Sequence, residues 1–479
     1  MSEVEMVDAS VEQDLVLQEF YEKLEIVQNA STNSDSKLIL KVLRELPPLR
    51  KKLSKDILVT IIDKYYQDSD FQKSYLLKYL AATSKQSQPS TEELTPEIDL
   101  FIHLLAQLYL HDKSSLAGLA KLNQKIIELF KSYSKRSLDY LQAKIWFYIQ
   151  RTSELLDIKA NTTATTETWP HLVETRHHLL LSLRTATLKH DHETTASIIT
   201  LLLRNYSLTN DITQAINFVS KIEFPENCGN NLYARYYYYL SKIHAIQLNY
   251  STALSYIINS IRKAPQSQYV KGFLVSAQKL KIVIELLMGD IPELTIFTNQ
   301  QYQQHLKPYM EITKAVRLGD LGSFNKALET YSGSFIRDKT YNLILRLRKN
   351  VIKTGIRLIS LCYKKISIRD ICIKLKMDSE VSTEYILNKL IKDHIIEAGL
   401  DNKESYMKSR EFYNVYDSEV PAAEFNKRIE AINAIKKSFV KEMNYPESKN
   451  RFNSKDILEY EQEMELIRAG EDTDFDDFL

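Results

Sequence analysis

One stretch of the chain, residues 233–265, loosely follows a helical-repeat template of about 34 residues. Large, small and helix-ending residues fall where two packed helices need them: Tyr237, Leu240, Tyr250, Ala253, Ile257 and Pro265. His244 occupies a position where the first helix is expected to carry an aromatic residue. Because one repeat cannot bury its apolar face alone, such units stack on their neighbours. The stretch therefore predicts a helical solenoid, with the four consecutive tyrosines at 236–239 on its wide inner face.

A second half-match follows at residues 314–331, where Gly319 and Asp320 mark a turn and Phe324 restarts a helix. The chain has only 10 Gly and 11 Pro in 479 residues, whereas average Gly usage is about 7%. A many-stranded protein needs more of these turn residues. We therefore predict a mostly α chain with a tetratricopeptide-like helical-repeat solenoid.

Residues 367–401 have the order helix, turn, helix and strand, which is typical of a winged helix. Ser367 is a suitable N-cap. We expect one buried face on the first helix and another on the second: Ile368, Ile371, Cys372 and Leu375, then Val381, Tyr385, Ile386 and Leu390. A strand is expected to begin at Ile395 and Ile396, and the wing to return at residues 405–407.

The second helix does not favour DNA reading. Helices that read DNA present Arg, Lys, Asn or Gln at their N-terminal end, whereas this helix presents Glu380, Ser382, Thr383 and Glu384. Residues 341–369, by contrast, carry eight basic residues and no acid, beginning with Arg346, Arg348 and Lys349. Such a run is either a solvated helix face or a docking surface for an acidic partner, protein or nucleic acid.

Beyond the wing, residues 421–443 read as one amphipathic helix. Its face alternates spacings of three and four, close to a heptad pattern: Phe425, Ile429, Ile432, Ile435 or Lys436, and Phe439. The helix either folds back on its own domain or meets a partner helix. A short Glu-rich helix (residues 454–468) and the tail EDTDFDDFL follow, and the tail is expected to be a disordered solubiliser or, as a second choice, a docking peptide.

Charge and cysteine usage narrow the class of protein. The formal charge is +1, from 63 basic and 62 acidic residues, so the chain as a whole lacks the basic excess of a general nucleic-acid binder. Three cysteines are too few for a disulfide scaffold and indicate a reducing compartment. With no secretory signal and no membrane-spanning apolar run, we expect a soluble intracellular protein.

We find no residue pattern for catalysis and predict no cofactor and no metal. The best metal candidate is HDHE at residues 190–193, but without a further ligand nearby it reads as a polar turn. Gly319 and Gly322 lack the partners and the preceding strand of a phosphate loop. Cys362 and Cys372 read as small core residues.

Helical repeats that run into a winged helix are the layout of the PCI domain. The phrases YYYYLSKIHAIQLNYSTA, LLMGDIPEL, KAVRLGD and RLRKNVIKTGIRLISLCYKKISIRDIC strongly resemble the non-ATPase regulatory subunit 3 family of the 26S proteasome lid. The resemblance covers residues 98–479 and is densest over 233–416. His394 departs from the family, which usually has Gly there.

The resemblance implies a non-catalytic lid scaffold that acts in ubiquitin-dependent protein degradation in cytoplasm and nucleus. It implies contacts with other PCI-domain lid subunits through the winged helix and a C-terminal bundle, with base subunits and with a small acidic tether protein. It implies no membrane and no direct nucleic-acid partner. The bundle arm would use Phe425, Ile429, Ile432 and Phe439. The alternative is a PCI-type adaptor of a nucleic-acid-associated complex, such as one for mRNA export, that would use the basic run.

The predicted organisation has six parts along the chain. These are a mostly disordered segment (1–36), N-terminal helical repeats (37–232), the tetratricopeptide-like part of the PCI domain (233–345), its winged-helix part (346–416), a bundle helix (417–445), and a short helix with the acidic tail (446–479).

Overall fold

The computed structural model of the chain is mostly α-helical, as predicted. It describes residues 3–33, 36–66, 71–80, 94–133, 135–162, 168–377, 379–401, 404–409, 416, 418–443 and 458–465. By their contacts the residues form two units, one of Met1–Ile359 with Ile371–Ser379 and one of Ser360–Asp370 with Glu380–Leu479. The acidic tail lies outside the described residues.

Seventeen α-helices precede the first strand in the described part of the chain. The first ten are α1 (Glu3–Asn33), α2 (Ser36–Lys52), α3 (Lys55–Tyr65), α4 (Phe71–Leu80), α5 (Pro96–Asp112), α6 (Leu116–Ser132), α7 (Asp139–Asn161), α8 (Pro170–Leu188), α9 (His192–Thr209) and α10 (Ile212–Val219). The next seven are α11 (Asn230–Ile246), α12 (Tyr250–Lys263), α13 (Lys271–Met288), α14 (Leu294–Thr298), α15 (Gln303–Leu318), α16 (Leu321–Arg337) and α17 (Tyr341–Cys362).

The prediction that residues 1–36 are mostly disordered is wrong for the described residues. α1 covers Glu3–Asn33 and buries Phe20, Leu24, Val27 and Ala30. These positions recur at spacings of three and four, which is the pattern of one helical face. The face is hard to recognise in the sequence because polar residues surround it and α1 is only weakly apolar overall.

Consecutive helices of the first unit pack side by side, α7 on α8, α8 on α9 and α11 on α12. Two apolar cores result, one from Phe20 to Ile243 and one from Ala245 to Val351, so α11 contributes to both. The four tyrosines do not share one face: Tyr236 and Tyr239 pack on the first core, Tyr238 on the second. Each residue turns a helix by about 100°, so four in a row must point around it.

The turn between α15 and α16 contains the predicted Gly319–Asp320 pair. Gly319 has a φ of 67° and ends α15, and Asp320 caps α16 by accepting a hydrogen bond from the Gly322 N–H at 2.9 Å. A Cβ on Gly319 would lie 2.5 Å from the Cα and N of Gly355 in α17. The turn thus packs on α17 backbone to backbone, at a distance only glycine permits.

The second unit contains a three-stranded antiparallel sheet with strand order β1-β3-β2. Its strands are β1 (Lys365–Ser367), β2 (Ala398–Asp401) and β3 (Tyr406–Ser409). Met407 is fully buried at the centre, opposite Ile366 on one side and Leu400 on the other. The Ser409 hydroxyl donates to the Ser360 carbonyl at 2.9 Å. This is the predicted wing, returning at β3.

Two helices lie between the strands, α18 (Ile368–Leu375) and α19 (Glu380–Lys392). Ser367 accepts a hydrogen bond from the Asp370 N–H at 3.1 Å, so the predicted cap is confirmed, and the four predicted positions of α18 are buried. The prediction for the inward face of α19 is partly wrong: the helix buries Thr383, Leu387 and Leu390, whereas Val381 and Tyr385 are exposed.

The strand also begins later than predicted, at Ala398 rather than Ile395. Residues 393–396 form the turn that ends α19, in which the Ile395 N–H donates to the Leu390 carbonyl at 3.0 Å. His394 adopts a φ of 55°, in the left-handed region that favours glycine. Two helices follow the sheet, α20 (Val420–Met443) and α21 (458–465).

Candidate interaction surfaces

Helix α20 has no buried residue although it is 24 residues long. At 1.5 Å per residue it extends about 36 Å. A helix of a globular chain normally hides an apolar stripe against its own core. α20 therefore presents whatever apolar face it has to the solvent.

The apolar face of α20 is the predicted one. Phe425, Ile429, Ile432 and Phe439, here called the apolar seam, are 62%, 55%, 65% and 58% exposed. At about 100° per residue they fall within an arc of about 80° on one side of the helix. Met443 lies within the same arc, and Ile435 and Val440 flank it; all three are also exposed. The seam has the spacing and the exposure that a partner helix needs for knobs-into-holes packing.

The three basic residues singled out on α17 divide into two kinds. The Arg346 guanidinium is half-buried and donates to the carbonyls of Ala245 and Ile246, both at 3.3 Å. These carbonyls belong to the last turn of α11, where carbonyls run short of intrahelical donors; the Ala245 carbonyl also accepts from the Leu248 N–H at 3.4 Å. Arg348 and Lys349 are exposed.

Asn350 has the same role for the next helix, which the sequence reasoning missed. Its amide donates to the carbonyls of Leu286 and Leu287, at 2.8 and 3.1 Å, near the end of α13. A signal for this role was weak in the sequence, because Asn350 lies more than 60 residues along the chain from both carbonyls. Two polar side chains of α17 thus complete the C-terminal turns of two earlier helices.

Comparisons with known proteins identify the family. A family model described as PSMD3-like, N-terminal TPR repeats matches residues 12–313, a PCI domain model matches 328–411, and a model of the C-terminal part of a proteasome regulatory subunit matches 414–477. The 26S proteasome regulatory subunit RPN3 of Saccharomyces cerevisiae is 40% identical over 463 residues, 91% of this chain and 88% of that protein. The chain belongs to the 26S proteasome regulatory subunit 3 family.

Other relatives in this family are similar over nearly their whole length. The probable 26S proteasome regulatory subunit rpn3 of Schizosaccharomyces pombe is 38% identical, over 96% of this chain and 92% of that protein. The 26S proteasome non-ATPase regulatory subunit 3 of Dictyostelium discoideum is 35% identical, over 94% and 90%. These relatives are named as regulatory subunits, and none of the matching family models is an enzyme family.

In this family member, α19 keeps its acids towards solvent. Glu380 and Ser382 are exposed and Glu384 is half-buried, whereas Thr383 is fully buried. Carboxylates at this end of the helix repel phosphate, which supplies most non-specific nucleic-acid affinity. The N-terminal end of α19 therefore presents acidic and hydroxyl side chains instead of the Arg, Lys, Asn or Gln of a groove-reading helix.

The HDHE segment of this family member starts helix α9. Asp191 accepts a hydrogen bond from the Thr194 N–H at 3.1 Å and is the N-cap, while His190 adopts a φ of 54° in the turn before it. Burial and the neighbouring carboxylate of Asp191 raise the pKa of Asp139 to about 7. The two carboxylates therefore repel each other beside the α8–α9 turn.

A buried polar cluster joins α5 to the ends of α3 and α6. Tyr66 and Tyr133 donate to the Asp99 carboxylate, the latter at 2.7 Å, and His103 lies 3.1 Å from it. Burial opposes ionisation of Asp99, but the hydrogen bonds from His103, Tyr66 and Tyr133 outweigh it and lower the pKa of Asp99. Asp99 and His103 are fully shielded from solvent, which suits packing rather than chemistry.

The described residues contain neither a candidate metal centre nor a candidate membrane span. Across those ranges, no three His, Cys, Asp or Glu side chains lie together in a way that could hold a metal ion. In the same part of the chain, no helix combines the length and apolar character that crossing a membrane requires.

Proposed function

We propose that the chain is a non-catalytic structural subunit of the proteasome regulatory-particle lid, which supports lid assembly and ubiquitin-dependent protein degradation. The observation that carries this proposal is α20, a long helix with an exposed apolar seam and no buried residue. Such a helix is stable in water chiefly when a partner covers its apolar face. The partner proposed for the seam is a bundle of helices from other PCI-domain lid subunits.

The remaining contacts follow the family. The winged-helix part of the second unit is proposed to meet neighbouring lid subunits, and other surfaces to meet base subunits. The exposed Arg348 and Lys349 are proposed to attract the small acidic tether protein by charge complementarity. Arg346 is proposed to act mainly as the capping group of α11, since its donors already have acceptors. We also propose that the protein acts in the cytoplasm and the nucleus, and that it contacts neither a membrane nor nucleic acid directly.

The experiment compares two double variants of α20 that add the same charge. Ile432→Asp with Phe439→Asp places two carboxylates in the seam, and Ala423→Asp with Ala434→Asp places two on the opposite, exposed face. Tagged copies are expressed in cells, purified by affinity and examined by mass spectrometry. We expect the seam variant to lose the regulatory subunits and the control to retain them.

The size of the effect follows from burial. One Ile and one Phe, buried at an interface, contribute about 1.5–3 kcal/mol each, so losing both weakens binding about 10²- to 10⁴-fold. Because no α20 residue is buried in the free chain, both variants should unfold at the temperature of the native chain. Recovery of the regulatory subunits with the seam variant at the native level would refute the role of the seam.

A further inference from the structure

A cavity of about 560 Å³ opens within the first unit, between α9, α11, α13 and the α16–α17 turn. Its volume lies in the range of small-molecule sites, about 300–1,000 Å³. The lining is strongly basic, with six cationic side chains and one carboxylate: Arg204, Arg235, Lys242, Lys279, Arg337 and Lys339, with Asp338. These residues come from several helices spread over more than 130 positions, so no run in the sequence reveals them.

Half of these cations already have partners. Lys279 pairs with Asp338 at 2.7 Å, and Arg204 pairs with Glu154 at 2.6 Å. Lys339 donates to the Leu208 carbonyl at 3.3 Å. For Arg235, Lys242 and Arg337, the described residues supply no carboxylate and no hydrogen-bond acceptor. Three positive charges therefore face one cavity without compensation.

The surroundings of Lys242 disfavour the charged form of its side chain. Burial, then the positive charges of Lys339 and Arg204, lower its pKa to about 8. Burial also lowers the pKa of Arg235, whose guanidinium lies 5.6 Å from the Phe147 ring centre. An uncompensated cation in a cleft costs folding free energy, and such costs concentrate at sites that bind a charged ligand.

The rest of the wall adds donors and an aromatic surface. The hydroxyls of Ser207, Ser276 and Thr340 line the cavity. Tyr238 and Phe273 also line it, with their ring centres 5.5 Å apart. Arg235 and Arg337 keep exposed surface and Lys242 is half-buried, so a ligand entering from solvent can reach all three.

We propose that this cavity binds a small ligand carrying two or more phosphate groups, with Arg235, Lys242 and Arg337 as direct phosphate contacts. Linked phosphates put several negative charges within a few ångströms, which matches three cations around one cavity. An acidic peptide in extended form offers same-side carboxylates only about every 7 Å, so three of them would span about 14 Å, longer than a cavity of this volume is wide. The site is independent of the seam on α20 and of the proposed assembly role.

The test measures binding of inorganic tripolyphosphate and of ATP to the purified full chain by calorimetry at low salt. We compare the native chain with Arg235→Gln/Lys242→Gln, and with the matched control Arg184→Gln/Lys121→Gln, whose residues are exposed and do not line the cavity. We expect saturable binding that the cavity variant weakens about 10-fold or more and the control leaves unchanged.

The variant should fold, because it removes charges that repel each other in the native chain, and a melting curve checks this. Tighter binding of ATP than of tripolyphosphate would assign the aromatic wall to a nucleotide base, and equal binding would assign phosphate alone. No saturable binding by the native chain, or equal affinity in all three proteins, overturns the proposal. So does a peptide of consecutive glutamates that binds at least as tightly as tripolyphosphate.

Proton uptake gives a second readout. At pH near 8 the free Lys242 ammonium is about half protonated, and a bound phosphate restores its ordinary pKa of about 10.4. Binding should then take up about half a proton, seen by calorimetry in buffers of different ionisation enthalpy. The titratable groups that line the same cavity are Arg235, Tyr238 and Tyr239 on the Lys242 helix itself and, from neighbouring elements, Arg204, Lys279, Arg337, Asp338 and Lys339. Because the phosphate groups exchange protons too, the uptake by Lys242 is the difference between the native chain and Lys242→Gln; equal proton uptake by the two proteins contradicts the assignment.

Discussion

Replacing Gly319 by Ala tests the backbone crossing between the α15–α16 turn and α17. Two costs add at this position. The φ of 67° is a left-handed conformation that costs a residue with a Cβ about 1–2 kcal/mol. The new Cβ would also lie 2.5 Å from the backbone of Gly355, and overpacking of this kind costs about 1–3 kcal/mol. After a gain of about 0.5–1 kcal/mol from the unfolded chain, the net loss is about 1–4.5 kcal/mol.

Two further glycines separate these costs. Gly289 has a φ of 105° and open space around its Cβ position, so Gly289→Ala carries the conformational cost alone. Gly333, inside α16, has open space and no unusual φ, and Gly333→Ala should stabilise the helix by about 0.5–1 kcal/mol. All three variants replace Gly by Ala. Gly319→Ala should destabilise the chain most, Gly289→Ala should destabilise it less, and Gly333→Ala should stabilise it.

The assay is hydrogen exchange with mass spectrometry on peptides from α15 and α17, because it reports local opening. A loss of about 1–4.5 kcal/mol corresponds to protection lower by about 5- to 2,000-fold. Gly289→Ala has a net loss of about 0–1.5 kcal/mol after the same unfolded-chain gain, so it should lower protection near α13 by at most about 10-fold. Gly333→Ala should raise protection in α16. Equal effects of Gly319→Ala and Gly289→Ala would refute the steric part of the reasoning.

Three other predictions concern single side chains. Leu248→Gly should raise the free energy of unfolding by about 1 kcal/mol, measured by chemical denaturation, since Leu248 has a φ of 73°; destabilisation would contradict this. The raised pKa of Asp139, beside Asp191, means that stability falls as pH rises from about 4 to about 7. Asp139→Asn should therefore raise the melting temperature at pH 8 and leave it unchanged at pH 4, and the opposite order would exclude the coupling. Arg346→Met should cost about 1–3 kcal/mol in the same denaturation assay, whereas the exposed Arg348→Met should change stability by less than about 0.5 kcal/mol.

The predictions that the structure confirms depend mostly on local sequence patterns. The Ser367 cap and the buried face of α18 depend on residues within one or two turns, and both are confirmed. The α19 face failed by a small rotation, because its buried Thr383 is polar and its exposed Tyr385 is apolar in character. The late start of β2 was missed for a different reason: His394 adopts a left-handed conformation in the turn before the strand, and its residue type alone does not indicate such a turn.

Contacts between distant segments were beyond the sequence. The Gly319–Gly355 crossing joins residues 36 positions apart in the chain, and neither glycine indicates its partner. Arg346 was a candidate for partner binding, but its guanidinium caps α11 within its own fold. The heptad-like spacing of the seam was visible in the sequence, but its exposure could be known only from the fold.

The exposed α20 has a consequence for a copy of the chain that lacks partners. Its uncovered aromatic and aliphatic side chains are the kind of surface that chaperones and degradation factors recognise on orphan subunits. Two such copies could also pair through their seams, so overproduction should lead to concentration-dependent oligomers. The supply of this protein would then have to be matched to that of its neighbours, and α20 would be the feature by which a cell detects an imbalance.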